Sequence, residues 1–135
     1  MVEKIILAVG KRKRAIARAR IKKGKGIVKI NSKPLSLMTN ELVRLKIEEP
    51  LILIGDAWKA YDIQVNVQGG GILGQADAAR QAISKGLVKL LGDETKKTLL
   101  EYDRNLLVYD TRRTEPHKPS RSSQGPRRHK QRSKR

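Results

Sequence analysis

The sequence predicts an α/β (α+β) fold: a single small domain with a mixed β-sheet packed by helices, followed by a long extended basic C-terminal tail. Three observations predict it. Short stretches in which apolar residues recur every second position alternate with one long stretch in which they recur every third or fourth, the marks of strands and of an amphipathic helix. The chain of 135 residues is long enough for one compact domain and too short for two. At Thr111 the composition changes abruptly, and the last 25 residues hold no aliphatic or aromatic side chain and three of the five prolines. Such a segment has nothing to bury and is expected to be unfolded when alone. The boundary therefore divides a globular body at 1–110 from a basic arm at 111–135.

The elements follow in order. Residues 4–9 (KIILAV) are a short apolar run and predict a buried strand, with Gly10-Lys11-Arg12-Lys13-Arg14 as a cationic turn after it. From Ala15 the pattern alternates. Ala15, Ala17, Ala19 and Ile21 share one face, and Ile16, Arg18, Arg20 and Lys22 the other, which predicts a strand with a small apolar face inward and a basic face outward. Ala and Arg favour helix by propensity, and the two-residue period outweighs that preference here. Gly24-Lys25-Gly26 turns the chain into a strand at Ile27–Ile30, which Asn31-Ser32-Lys33-Pro34 ends. Asn40 caps a helix over Glu41–Glu49 that stops at Pro50. Leu51–Ile54 is too short to assign. Tyr61–Val67 alternates and predicts another strand, and after Gly69-Gly70-Gly71 comes the clearest helix, about 72–91, with Ile72, Ala76, Ala79, Ile83, Leu87 and Leu90 along one stripe. Gly92 stops it, Asp93 caps a further helix to about Tyr102, and Leu106–Tyr109 is expected to be a last strand.

Charge narrows the function. The formal net charge is +18, and it is concentrated in two places. Residues 10–30 carry ten bases and no acid; residues 111–135 carry ten bases and one acid, Glu115; the other 89 residues, with eleven bases and twelve acids, sum to −1. Self-repulsion of this size calls for a polyanionic partner, nucleic acid or an anionic membrane surface. No apolar run approaches the roughly 18–20 residues of a membrane span, and the N-terminus lacks the pattern of a secretory signal, so no membrane partner is expected. With no cysteine, disulfides and thiolate metal sites are excluded. Charge runs on solvated surfaces usually mix signs, so ten unopposed cations at 10–30 favour phosphate contact, with Arg as a bidentate fork and Lys as a mobile point charge. The tail alone would also fit a localisation signal or a sticky end. The aromatics, Trp58, Tyr61, Tyr102 and Tyr109, all lie outside the basic segments. Stacking on single strands needs aromatic platforms, so a folded nucleic acid read through its backbone and shape is the expected partner.

Gly69-Gly70-Gly71-Ile72-Leu73-Gly74 fits G-x-G-x-x-G between a predicted strand and helix, the local setting of a dinucleotide site. The required acid at the end of a second strand is missing, because Asp93 follows the helix directly. A tight glycine turn with close packing or RNA approach is the better reading. Catalysis has little to rest on. His117 and His129 lie in the arm, the acid pairs Glu48-Glu49 and Asp93-Glu94 fall at helix ends, and no metal-ligand spacing occurs, so neither enzyme activity nor a cofactor is expected.

Three segments together resemble one family, the universal small-subunit ribosomal protein numbered nine. Gly10-Lys11-Arg12-Lys13-Arg14-Ala15-Ile16-Ala17-Arg18 is similar to its G-x-R-K-x-A-x-A-R signature. Gly69 through Arg80 looks like its glycine run followed by G-Q-A and a helix; Asp110-Thr111-Arg112-Arg113-Thr114-Glu115 with Lys118 and the closing Ser133-Lys134-Arg135 match its basic end. The resemblance covers essentially the whole chain, and the run Pro126–Arg135 looks archaeal-type. It implies a body of the kind seen in the second domain of ribosomal protein S five, in a cytoplasmic ribosome. That body would sit on ribosomal RNA in the head of the small subunit, beside neighbouring head proteins, with the arm threading toward the P-site tRNA. By this resemblance Lys11, Arg12, Lys13, Arg14, Arg18, Arg20, Lys22, Gly69, Gly70 and Gly71 would meet ribosomal RNA, as would Arg112, Arg113, Lys118, Arg121, Arg127, Arg128 and Lys130 along the arm. Arg132, Lys134 and Arg135 would meet the tRNA. Many relatives carry an aromatic residue where this chain has Arg132, so an ionic contact replaces stacking there. Charge alone leaves a DNA-compacting protein open.

Overall fold

In a computed structural model that describes residues 4–114 and Pro116, five strands build one mixed sheet and the helices are stacked over one of its faces. The strands are β1 (Ile6–Arg12), β2 (Ala15–Lys23), β3 (Val28–Ile30), β4 (Lys33–Pro34) and β5 (Tyr61–Gln68). The α-helices are α1 (Glu41–Ile54), α2 (Ile72–Leu91) and α3 (Asp93–Tyr102), with short 3-10 turns at Leu35–Leu37, Gly55–Ala60 and Arg104–Leu106. The sheet order is β1-β2-β5-β3-β4. Only β3 and β5 run parallel, joined by the crossover that contains α1.

The alternation in β2 is realised as the sequence predicts: Ala15, Ala17, Ala19 and Ile21 are buried, while Arg18 and Arg20 are exposed. Ile63, Val65 and Val67 of β5 and Val28 and Ile30 of β3 continue the same inward face, against Ala76, Ala79, Ile83 and Leu87 of α2 and Val43, Ile47 and Leu51 of α1. The row of alanines is what lets α2 lie close to the sheet. At Gly10 the approach is so tight that a Cβ would overlap the Ala78 carbonyl oxygen and the Ala82 nitrogen, both backbone.

Several boundaries differ from expectation. The expected turn Gly10–Arg14 is mostly strand: β1 continues to Arg12, and the reversal uses Lys13 and Arg14 alone, with Lys13 at φ 53. Helix α1 does not stop at Pro50 but runs through it to Ile54. An interior proline costs about 3 kcal/mol. Here Pro50 and Leu51 are themselves buried with Val43 and Ile47, and each fully buried aliphatic side chain contributes about 1.5–3 kcal/mol, so core packing prevails over propensity. Leu106–Tyr109 is a 3-10 turn and bend rather than a strand, leaving a single parallel bridge from Arg12 to Asp110. Asp93 occupies the first turn of α3, and the N-cap is Gly92, whose φ of 93 also terminates α2. Ile72, expected on the buried stripe of α2, is exposed, whereas the polar Gln81 and Ser84 are buried.

Two polar side chains finish the sheet where the ladder runs out. Asn31 accepts from the Val67 N–H at 2.8 Å and donates to the Val67 carbonyl at 3.2 Å, extending the edge of β5 beyond β3. Asp62 accepts from the N–H groups of Lys25 (2.9 Å) and Ile27 (3.1 Å) and so organises the Gly24–Gly26 turn. Those N–H groups, Ile27 first and then Lys25, hold the Asp62 carboxyl below the ordinary carboxylate range. A carboxyl depressed by folding stabilises the native state above its unfolded pKa, near 4, and that contribution is lost as pH falls through the lower folded value. Asp62→Asn is therefore expected to lower the urea midpoint at neutral pH, with the gap to the parent closing below about pH 4. Urea melts at a series of pH values read this directly, and a gap independent of pH would contradict it.

Candidate nucleic-acid interface

Helix α2 packs on one face of the sheet, with α1 and α3 against it, and the side chains of β1, β2 and β5 that point the other way are left mostly to solvent. The composition of that outward face follows from register. Val9, Arg18 and Asn66 form one cross-strand row, and Leu7, Arg20, Gln64 and Lys29 form the next. A third row is Lys11, Ile16 and Gln68. The face thus presents guanidinium groups flanked by side-chain amides and short aliphatic groups. Asp62, opposite Lys22, has its carboxylate turned to the Gly24–Gly26 turn. Among the described residues, Lys13, Arg14, Arg18 and Arg20 have no carboxylate partner. Forked donors beside amides suit phosphate and ribose oxygens spread over a surface rather than one small ligand.

One end of this face meets the glycine turn. Gly69 and Gly70 adopt φ of 80 and 66, and a Cβ on them would stand 2.5 Å from the Arg14 carbonyl oxygen and 3.0 Å from the Ala15 nitrogen. They are there because the β1–β2 hairpin packs on the turn and because the backbone needs the left-handed region. The turn leads into α2, whose N-cap Gly71 offers no side chain and whose first turn holds no acid. Lys13, Arg14 and Lys46 line the open cleft beside it. The segment after β5 is α2 and then α3, so the βαβαβ arrangement of a dinucleotide fold is not what surrounds these glycines.

An ion-pair cluster ties residues 110–112 to the rest of the described domain. Arg12 reaches Asp110 at 3.3 Å and Asp77 at 3.9 Å, and Lys46 reaches Asp77 at 3.2 Å. Arg112 binds Asp110 through its side chain at 2.7 Å and its backbone N–H at 3.0 Å, and Arg12 donates to the Arg112 carbonyl at 3.4 Å. The Arg112 side chain and then its backbone N–H, with a smaller contribution from Arg12, hold the Asp110 carboxyl far below its ordinary value, and Asp110 in turn raises that of Arg112. Arg113 donates to the Tyr109 hydroxyl and lies over its ring. Next to this cluster Arg80 is held by Asp103 at 2.8 Å and Glu49 at 3.0 Å, and buried Gln81 accepts from the Lys11 N–H at 2.8 Å. These groups enclose a polar cleft of about 200 Å³.

The structure thus gathers Lys11, Arg18, Arg20 and Lys22 on one sheet face, and Lys13, Arg14, Gly69, Gly70 and Gly71 at its end. Arg12 is turned instead toward Asp77 and Asp110, and Arg112 and Arg113 lie beside Asp110. Lys118, Arg121, Arg127, Arg128, Lys130, Arg132, Lys134 and Arg135 lie outside the described residues. Sequence reasoning missed Asp77 and Gln81, whose partners lie 31 or more positions away, and the distant pairing of Asp110 with Arg12, although its other partner, Arg112, is only two positions on. It also missed Gln64, Asn66 and Gln68, which the alternation of β5 already places on the outward face.

Residues 10–135 match the family model described as ribosomal protein S9/S16. The small ribosomal subunit protein uS9 of Methanococcus maripaludis strain C5 is 51% identical over 131 residues, 96% of this chain and 98% of that protein. The protein of the same name from Methanococcus vannielii is 50% identical over the same extent.

Proposed function

The chain belongs to the ribosomal protein S9/S16 family, of archaeal type, and from that premise we propose that it holds ribosomal RNA in the head of the small subunit and sends its arm to the P-site tRNA. It is a structural constituent of that subunit rather than an enzyme. The observation that carries the RNA reading is the uncovered sheet face, where Arg18 and Arg20 stand in rows with Asn66 and Gln64. The body, 1–110, docks by this face and by the glycine-turn end, with Lys11, Lys13, Arg14 and Lys22 on phosphates and Gly69–Gly71 close to the RNA backbone. Arg12 serves the interface indirectly, by fixing Asp110 and with it the direction in which the arm departs.

The arm, 111–135, would neutralise phosphates along its length through Arg112, Arg113, Lys118, Arg121, Arg127, Arg128 and Lys130. Arg132, Lys134 and Arg135 would then meet the tRNA. The neighbours in this setting are ribosomal RNA, P-site tRNA and other head proteins, in the cytoplasmic ribosome. Among the described residues no helix is long and apolar enough to cross a membrane.

Deleting Lys134 and Arg135 tests the tip. Subunits should assemble normally and retain P-site tRNA about fivefold less well, ~1 kcal/mol for lost charge-assisted contacts. Filter binding of tRNA to programmed subunits measures this; unchanged retention would remove the tRNA role and leave the RNA-scaffold role intact.

A further inference from the structure

The outward positions of β5 after Asp62 carry amides rather than cations: Gln64, Asn66 and Gln68 all point away from the core. Elsewhere the fold uses its amides. Asn31 gives both its groups to the Val67 backbone, and Gln81 accepts from the Lys11 N–H. Among the described residues, the side chains of Gln64, Asn66 and Ser32 make no hydrogen bond. These three, with Lys29 and the strand at Val65, line one cleft of about 120 Å³. That is well below the roughly 300–1,000 Å³ of a pocket for an independent small molecule, and suits a single group projecting from a larger partner. Asn31 and Ser32, at φ of 49 and 69, are the two central residues of the β3–β4 turn. Glycine is the unstrained residue at the second of these positions; serine keeps a hydroxyl on the cleft wall.

The chemistry of the lining selects the occupant. A phosphate only accepts, so it would use the amide nitrogens and leave both amide oxygens without a donor. Arg18 and Arg20, paired across the strands with Asn66 and Gln64, serve phosphates better. A ribose hydroxyl is one atom and would engage one amide, not two. The edge of a base offers donors and acceptors side by side in a plane, and adenine, with its amino group beside a ring nitrogen, is the usual match for Asn and Gln. Unpaired positions of folded RNA expose such edges, and a guanidinium plane such as that of Arg20 can stack the base where aromatic rings are lacking. We propose that the cleft between β5 and the β3–β4 turn takes the edge of one unpaired adenine of the ribosomal RNA, read by the Gln64 and Asn66 amides and the Ser32 hydroxyl. This inference rests on the sheet face docking ribosomal RNA, and adds a point of base reading to a surface that otherwise meets phosphates.

The test binds the full chain to a head fragment of small-subunit ribosomal RNA. The RNA is probed with dimethyl sulfate at adenine N1 and with diethyl pyrocarbonate at adenine N7. The parent should protect one unpaired adenine at one of these atoms. Gln64→Ala with Asn66→Ala should lose that protection and bind about tenfold more weakly. The slope of log affinity against log salt should stay the same, because neutral side chains displace no counterions. Ser32→Gly should keep the melting temperature of the parent and bind about threefold more weakly, a loss that a purely structural serine would not produce. A parent that binds the RNA but protects no unpaired adenine, or a double variant that keeps the protection, would overturn the base-reading site. A parent that does not bind the RNA would instead overturn the docking on which it rests.

Discussion

Replacing Arg18 and Arg20 together by Glu is expected to weaken binding to small-subunit ribosomal RNA by at least about a hundredfold, from two charge-assisted contacts at roughly 1.5–3 kcal/mol each. Both side chains are exposed on the sheet face away from the helices, so the fold should hold, with stability changed by about 0.5 kcal/mol or less. The milder pair Arg18→Gln with Arg20→Gln separates loss of attraction from added repulsion. It should also reduce the slope of log affinity against log salt by close to 2, because each neutralised phosphate releases about one counterion. Titration of a ribosomal RNA head fragment at several salt concentrations gives both quantities. An unchanged slope would show that the sheet face is not where phosphates are met.

The second large effect concerns the fold that holds that face in position. Gly10→Ala should cost about 3 kcal/mol or more, since the added methyl meets backbone atoms of α2 that cannot rotate away. Gly71→Ala is the matched control. Its φ of −94 is ordinary and a Cβ there has no neighbour within 4 Å, so stability should change little. Gly69→Ala should fall with Gly10→Ala, because a positive φ and the Arg14 carbonyl both oppose a side chain. Equal melting midpoints for the Gly10 and Gly71 variants would contradict the close strand–helix packing.

What could be read from the chain alone was governed by range. The two-residue period of Ala15–Lys22 gave both the strand and the face of each side chain, because burial on a pleat is a local rule. Helix α2 was legible to its ends, between a glycine turn and Gly92. Asn40 was legible as a cap and accepts from the N–H groups of Leu42 and Val43 at 3.1 and 3.3 Å. Pro50 misled because its local cost is overridden by its burial in the packed domain, where α1 lies against α2, which no local pattern reports. The segment 106–109 misled in the opposite sense: its apolar residues pack without a neighbouring strand to pair with. The interface divides in the same way. Arg18 and Arg20 were found by alternation, whereas Arg12 looked like its neighbours in the basic run. Only the fold brings Asp77 and Asp110 to it.

The central claim is that this chain is held in the small ribosomal subunit by phosphate contacts, and sedimentation of native subunits tests it most directly. The chain should travel with the small subunit through a sucrose gradient at physiological salt and be released only in high salt, as a set of many phosphate contacts requires. Its absence from that fraction, or release that does not depend on salt, would contradict the account.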